Sequence, residues 1–348
     1  MNGMHDMLLR HPVEASAPCR IDMGGTLDLS TFYLALRHAQ PCTFNLALDL
    51  RTQVRLTAHT QGRIKVSSTG FDTVEVDRRQ MPFGPPLGLM LAVAASFNAD
   101  GVHMEIESAS PPRSALGGSS VAAVALIWAF SKALKHQGVP MPDRKAVALR
   151  AQAIEQSIAG VPCGLQDQLA AAFGGVNGWY WSVDFAGQDF SRRRLLEASA
   201  YRDFQRCILV AYCGVPHVSK DVNSTWVNQF ISGSSRKQWY RIVACGRQFI
   251  DAVDTGDHDL AVRVMNEETD IRRELTPDVL DDMGAALVTA ARTHGCGARF
   301  TGAGGGGCIW ALGSREKIDA LRPEWQRLLD ARRGAVLLNA GIAAAGVL

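Results

Sequence analysis

Three short stretches hold residue types whose spacing suits chemistry on a phosphorylated ligand. The first is Pro111-Pro112-Arg113-Ser114-Ala115-Leu116-Gly117-Gly118-Ser119-Ser120, set between a β-type segment and a strongly apolar helical one. Its two adjacent glycines let the backbone come close to a ligand. The helix that follows aims free N–H groups and the positive end of its dipole at the same place. The stretch reads as an anion site, most naturally for the phosphates of a nucleotide; the plainer alternative is a strand-to-helix turn with serine caps. The Walker A lysine is missing, which excludes a P-loop NTPase.

The second stretch pairs Glu155, on a helix, with Gly160-Val161-Pro162-Cys163-Gly164-Leu165-Gln166-Asp167-Gln168. Pro162 and Gly164 break the helix, which predicts Asp167 in a loop. A carboxylate on a helix and another at a loop tip suit a Mg²⁺ ion and a proton acceptor, as phosphoryl transfer from ATP to a hydroxyl requires. Taken singly, Glu155 reads as a solvated helix face and Asp167 as a loop cap. The third stretch, Arg299-Phe300-Thr301-Gly302-Ala303-Gly304-Gly305-Gly306-Gly307-Cys308, contains G-x-G-x-x-G. A dinucleotide fingerprint needs a helix directly after it, and Ile309-Trp310-Ala311-Leu312 reads as a strand. What remains is a glycine loop between two strands, able to pack its backbone on another loop or a ligand.

Several elements must hold these stretches in place. Alternation of apolar and polar residues predicts strands over 44–50, 53–58 and 63–67. Residues 82–88 form a Pro/Gly loop, 89–97 a helix and 102–107 a strand ended by Pro111-Pro112. Helices follow over 119–135 and 144–158, the second closed by Gly160 and Pro162. A short buried strand is expected over 207–213, then helices over 218–230, 238–253 and 279–294, then strand, loop, strand and helix. This predicts two domains, 1–200 and 201–348, without repeats.

Composition narrows the class of protein. The chain has 348 residues, 47% hydrophobic and 20% charged, with a formal charge of +2. So small a charge implies neither a nucleic-acid nor a membrane partner. The eight cysteines (Cys19, Cys42, Cys163, Cys207, Cys213, Cys245, Cys296, Cys308) include no C-x-x-C pair. Reduced thiols in a cytoplasmic enzyme account for them better than a zinc site or a disulfide scaffold. Residues 1–16 lack the apolar core of a secretion signal, and the apolar run 121–130 is too short to span a bilayer. The sequon at Asn223 reads as chance.

Taken together and in order, the stretches resemble the three motifs of the GHMP kinase superfamily. Pro112 to Ser120 is similar to its phosphate loop, Thr301 to Gly307 to its C-terminal glycine motif, and Ala17-Pro18-Cys19-Arg20-Ile21-Asp22 to its opening strand. The resemblance implies an α+β, two-domain fold, with an N-terminal ribosomal-protein-S5-like domain and a C-terminal ferredoxin-like domain. It implies ATP and Mg²⁺ as cofactors. Pro112, Leu116, Gly117, Gly118, Ser119, Ser120, Gly302, Gly304 and Gly305 would bind the nucleotide. Ser119, with Ser120 as fallback, and Glu155 would be the metal ligands. Asp167 would be the base, oriented by Arg20.

Pro162 to Gln168, followed by Ala170-Ala171-Ala172-Phe173-Gly174-Gly175, resembles galactokinases and, more closely, bacterial heptose kinases. By that likeness the acceptor is the anomeric hydroxyl of a heptose, heptose phosphate or hexose, with Asp28, Gly164, Gln168 and His217 at the substrate. A homodimer is left open. Three departures stand out: Ala115 replaces a usual glycine, Gly118 replaces a usual serine, and Gly24-Gly25-Thr26-Leu27-Asp28 matches neither branch. Kinases of isoprenoid or amino-acid alcohols and a catalytically silent sugar-binding regulator are the rival readings.

Overall fold

The computed structural model describes residues 3–160, 163–182, 190–216 and 219–348. The first part of the chain runs α1 (Gly3–Arg10), β1 (Val13–Met23), α2 (Ser30–Tyr33), β2 (Cys42–Ala58), β3 (Arg63–Ser68) and β4 (Val74–Asp77). It continues α3 (Gly88–Ser96), β5 (Val102–Ser108), α4 (Gly118–Lys135), α5 (Arg144–Ala159), α6 (Gln166–Phe173), β6 (Val176–Trp181), β7 (Phe190–Arg194) and α7 (Tyr201–Phe204). The second part runs β8 (Ile208–Tyr212), α8 (Ser219–Ile231), α9 (Arg236–Thr255), α10 (His258–Leu275) and α11 (Asp282–Thr293). It ends with β9 (Gly297–Phe300), β10 (Cys308–Leu312), α12 (Arg315–Asp330) and β11 (Val336–Leu337).

The larger sheet has the order β4-β3-β5-β2-β6-β7, with β1 paired to β2. The strands expected at 44–50 and 53–58 are one element, β2. It carries β1 along one edge, and β6 and then β5 along the other. Its first seven residues are buried on both faces, and burial alternates farther on. The reason is a change of cover. Early in β2, Phe44 meets Phe249 of α9 and Trp310 of β10, while α4 and α6 also pack on the strand. α4 is apolar nearly all round because it is enclosed, with Val121–Ile127 buried without a break.

The smaller sheet is β11-β8-β10-β9, antiparallel throughout. After β11 the chain leaves it and crosses to the larger sheet. Ile342 bridges Leu48, and Ala343 accepts a hydrogen bond from Gly175 N at 2.7 Å. Arg51 holds the carbonyls of Ala345 and Gly346 at 3.1 and 2.7 Å. Gly174, at φ 67°, lies so close beneath Ala345 and Gly346 that a Cβ would collide with their backbone.

Two findings differ from the sequence reading. Asp167 lies in the first turn of α6, not in a loop. The helix restarts directly after Gly164, so the break is shorter than its glycine and proline suggest. α10 was not expected at all. Its buried face reads Ala261, Val264, Met265, Glu268, Thr269, Ile271 and Arg272, a helical repeat with charged residues among the apolar ones.

Candidate active site

β1 sets the site's axis. A strand places residues two apart on one face, so Arg20 and Asp22 project together. Arg20 Nε donates to Asp167 Oδ1 at 2.8 Å, and Nη2 lies 2.7 Å from the same oxygen. Nη1 donates to the carbonyl of Ala115 at 2.6 Å and lies 3.5 Å from Asp22 Oδ1. One buried guanidinium thus joins the carboxylate of α6 to the loop before α4. Both contacts with Asp167 fall on Oδ1, which leaves Oδ2 unclaimed among the described residues.

That loop uses three left-handed residues. Arg113 and Ala115 have φ of 53° and 61°, and Gly117, which caps α4, has φ of 81°. Ala115 therefore keeps the backbone a glycine would adopt freely, at a cost in strain. A Cβ on Gly117 would sit 3.1 Å from Asp167 Cγ, so the bare glycine lets loop and carboxylate approach. Beyond it, α4 opens with Gly118, exposed Ser119 and buried Ser120. Ser120 Oγ donates to Glu155 Oε2 at 2.7 Å, and Ser119 Oγ to Oε1 at 3.4 Å.

Asp28 accepts a hydrogen bond from Gln166 N at 3.0 Å, and its carboxylate lies where a side chain on Gly164 would have to go. Arg20, Asp28, Gly117 to Ser120, Glu155, Gly164, Asp167, Gln168, Asn223 and Gly302 all face one cleft of about 560 Å³. Burial raises the carboxyls of Asp167, Glu155 and Asp28 above their usual range, Asp28 to about 6. For Asp167, Arg20 opposes the rise. For Glu155, the hydrogen bond from Ser120 does so.

Some expected site residues lie elsewhere. Leu116 is fully buried, and its carbonyl accepts from Arg20 N at 3.2 Å; the side chain belongs to the core, not to a ligand. In the C-terminal glycine loop only Gly302 and Ala303 face the cleft. Gly304 and Gly305 turn away against Val279, and Gly305 N donates to its carbonyl at 2.9 Å. Gly307 packs under Ser114 and Ala115, so much of this loop serves to seat the phosphate-type loop. Gln168, expected beside a substrate, donates Nε2 to Glu155 Oε2 at 2.7 Å. Pro112 lines the cleft; Pro162 and His217 lie outside the described residues.

Asp22 was missed. Its Oδ1 accepts from Gly302 N at 2.7 Å and its Oδ2 lies 3.1 Å from Arg299 Nη1, so it links Arg20 to the glycine loop. The signal was its place two residues after Arg20 on the same strand. Thr26 was also passed over. It lines the cleft in a left-handed conformation, φ 77°, that β-branched residues rarely adopt.

An enclosed acidic side chain clamped by arginine, beside a glycine loop at a helix N-terminus, is an arrangement suited to phosphoryl transfer. Residues 87–175 match the family model "GHMP kinases N terminal domain", and residues 249–331 match "GHMP kinases C terminal". The chain belongs to the GHMP kinases, ATP-dependent phosphotransferases, and has their two-domain α+β fold. It is 26% identical over 316 residues to a galactokinase of Roseiflexus sp., covering 80% of each chain. It is equally, 26%, identical over 331 residues to a mevalonate kinase of Thermococcus onnurineus, covering 88% of this chain and 91% of that one. The structure of a D-glycero-D-manno-heptose 1-phosphate kinase from Bacteroides thetaiotaomicron superposes with a TM-score of 0.70 at 16% identity, covering 96% of this chain and 97% of that one. At that identity the likeness concerns the fold. Among the described residues, no helix is long and apolar enough to cross a membrane.

Proposed function

We propose that this chain transfers the γ-phosphoryl group of ATP to a sugar, at the anomeric hydroxyl of a hexose, heptose or heptose phosphate. The observation that carries the reading is the clamp of Arg20 on Asp167 within contact distance of Gly117. It puts an acceptor-activating carboxylate against the loop that would cradle the triphosphate.

Asp167 Oδ2 would orient the acceptor hydroxyl and take its proton as the new P–O bond forms. Arg20 keeps the opposite oxygen occupied and opposes the rise that burial causes in this carboxyl. The amides of Gly118, Ser119 and Ser120 at the start of α4 would hold phosphate oxygens. Asp28, with Gly164 giving it room, would accept hydrogen bonds from acceptor hydroxyls.

Ser119 and Glu155 fit a magnesium ion, which takes few protein oxygens and completes its shell with phosphates and water. Among the described residues, no group of three or more His, Cys, Asp or Glu is placed to hold a metal ion together. When bound, Mg²⁺ supplies charge neutralisation at the β- and γ-phosphate oxygens. Ser120 and Gln168 would hold Glu155 in position for it.

Resemblance to mevalonate kinases over most of the chain favours a second reading, a non-sugar alcohol as acceptor. ADP release with hexoses, heptoses, deoxyhexoses, their terminal phosphates and mevalonate decides between them. Turnover confined to mevalonate would remove the sugar reading. Asp167→Asn should lower kcat by roughly 10³-fold or more while ATP binding persists; near-normal turnover would take Asp167 out of the mechanism. We take 1–200 and 201–348 as the two working units of this enzyme, with Asp167 on the first and the glycine loop on the second.

A further inference from the structure

α10 carries two charged residues into the core. Glu268 and Arg272 are both fully buried, one helical turn apart, with Arg272 Nε donating to Glu268 Oε1 at 2.8 Å. Glu268 Oε2 accepts from Arg299 Nε at 2.7 Å, and Arg299 reaches Asp22. Charges therefore alternate without a break from Asp167 through Arg20, Asp22, Arg299 and Glu268 to Arg272. Stability alone does not call for such a chain, since well-packed apolar residues often replace buried ion pairs without loss.

The far end of the chain has a target. Arg272 Nη2 donates to the carbonyl of Gly25 at 2.6 Å. Its guanidinium lies over the rings of both Trp226 and Trp239, 4.5 and 4.6 Å from their centroids. On its other side Gly25 lies against Asp22 Oδ2, too close to accept a Cβ. The next residue is Thr26, in its left-handed conformation, and the turn it opens is closed by Leu29 N donating to Thr26 O at 3.0 Å. Asp28 lies within that turn. A β-branched residue holds such a backbone only where its surroundings impose it.

We infer that Arg272 is a positioning residue for the acceptor: by fixing the Gly25 carbonyl it imposes the left-handed Thr26 and so sets where Asp28 meets the acceptor alcohol. The inference rests on the reading of Asp28 as the acceptor's partner. A charged side chain on a C-terminal helix thereby shapes a loop that follows the first strand, 247 residues away in sequence yet one hydrogen bond away in space.

The test is steady-state kinetics with whichever alcohol the wild-type enzyme phosphorylates. Arg272→Lys keeps a positive charge for Glu268 but offers a single ammonium in place of the fork that serves Glu268 and Gly25 together. It should raise the acceptor KM about tenfold and leave the KM for ATP within about twofold. Glycine adopts the left-handed backbone without help. In a Thr26→Gly background the same Arg272→Lys change should therefore raise the acceptor KM less than about threefold. An unchanged acceptor KM, equal effects in the two backgrounds, or a loss confined to melting temperature would each overturn the inference. Arg272→Met gives a stronger form of the same result; if it does not fold, Arg272→Lys decides alone. Should mevalonate replace sugars as the acceptor, the sugar reading falls and this test runs unchanged.

Discussion

Asp28 shows how far one residue's burial governs behaviour at this site. Its carboxyl is raised to about 6, first by burial, against the hydrogen bond from Gln166 N. For stability, a raised folded-state pKa means the favourable, neutral form is present below the unfolded value near 3.9 and is lost as pH rises through about 6. For acceptor binding the sign is opposite, because the charged form accepts hydroxyl protons. Between pH 7 and 5, kcat/KM for the acceptor should fall while the ligand-free protein melts higher. Asp28→Asn should stabilise the protein at pH 7 by about 3 kcal/mol, seen as a higher melting temperature, and raise the acceptor KM. A variant that melts lower at pH 7 would contradict the assignment of burial as the cause. Residue type and spacing pointed to Asp167 and Glu155, and the family resemblance to Arg20 and Asp28; the structure brings all four to one cleft. Asp22 and Thr26 were not, because a carboxylate on a strand and a strained threonine carry no motif.

At the scale of elements, α6 decides the geometry, since it carries Asp167 and starts only two residues after Gly164. Its far end rests on the returning segment, where Gly174 and Gly346 make backbone-to-backbone contact and Val347 N donates to Ala172 O at 3.3 Å. Gly174→Ala should cost roughly 2–4 kcal/mol, from a left-handed alanine plus the collision. Urea unfolding measures it, and a cost below about 0.5 kcal/mol would show that the contact yields easily. The helices α4, α5, α8 and α9 were legible to within a few residues, because their apolar repeats and glycine stops are plain. α10 was not. Glu268 and Arg272 sit in its buried stripe, so its hydrophobic pattern breaks where the ion chain passes through.

For the whole molecule, the two sheets are joined by charge as well as by apolar packing. Arg299 on β9 meets Asp22 on β1 and Glu268 on α10, while Trp310 Nε1 donates to the carbonyl of Asp22 at 3.1 Å. Glu268 is pushed up by burial, but Arg299 and Arg272 overcome this and hold it below the usual range. Arg299→Met leaves Asp22 and Glu268 short of positive charge and should cost about 3–5 kcal/mol. Unfolding followed by tryptophan fluorescence and by far-ultraviolet circular dichroism should stay coincident in the wild type and separate in the variant. Coincident curves at unchanged denaturant midpoint would show the sheets to be held by apolar contact alone. The two-part architecture was readable from the order of motifs. The junction between the parts was not, because its residues come from segments far apart in the chain.

The segment that returns over Gly174 bears on the order in which the enzyme is made. On the ribosome, the support beneath α6 is synthesised well after the helix itself, following the whole of the second sheet. A nascent chain halted at β11 would already contain every residue proposed for catalysis, yet Asp167 would stand on an unfinished floor. On the proposed reading, activity should therefore appear only once residues 341–348 have packed beneath α6.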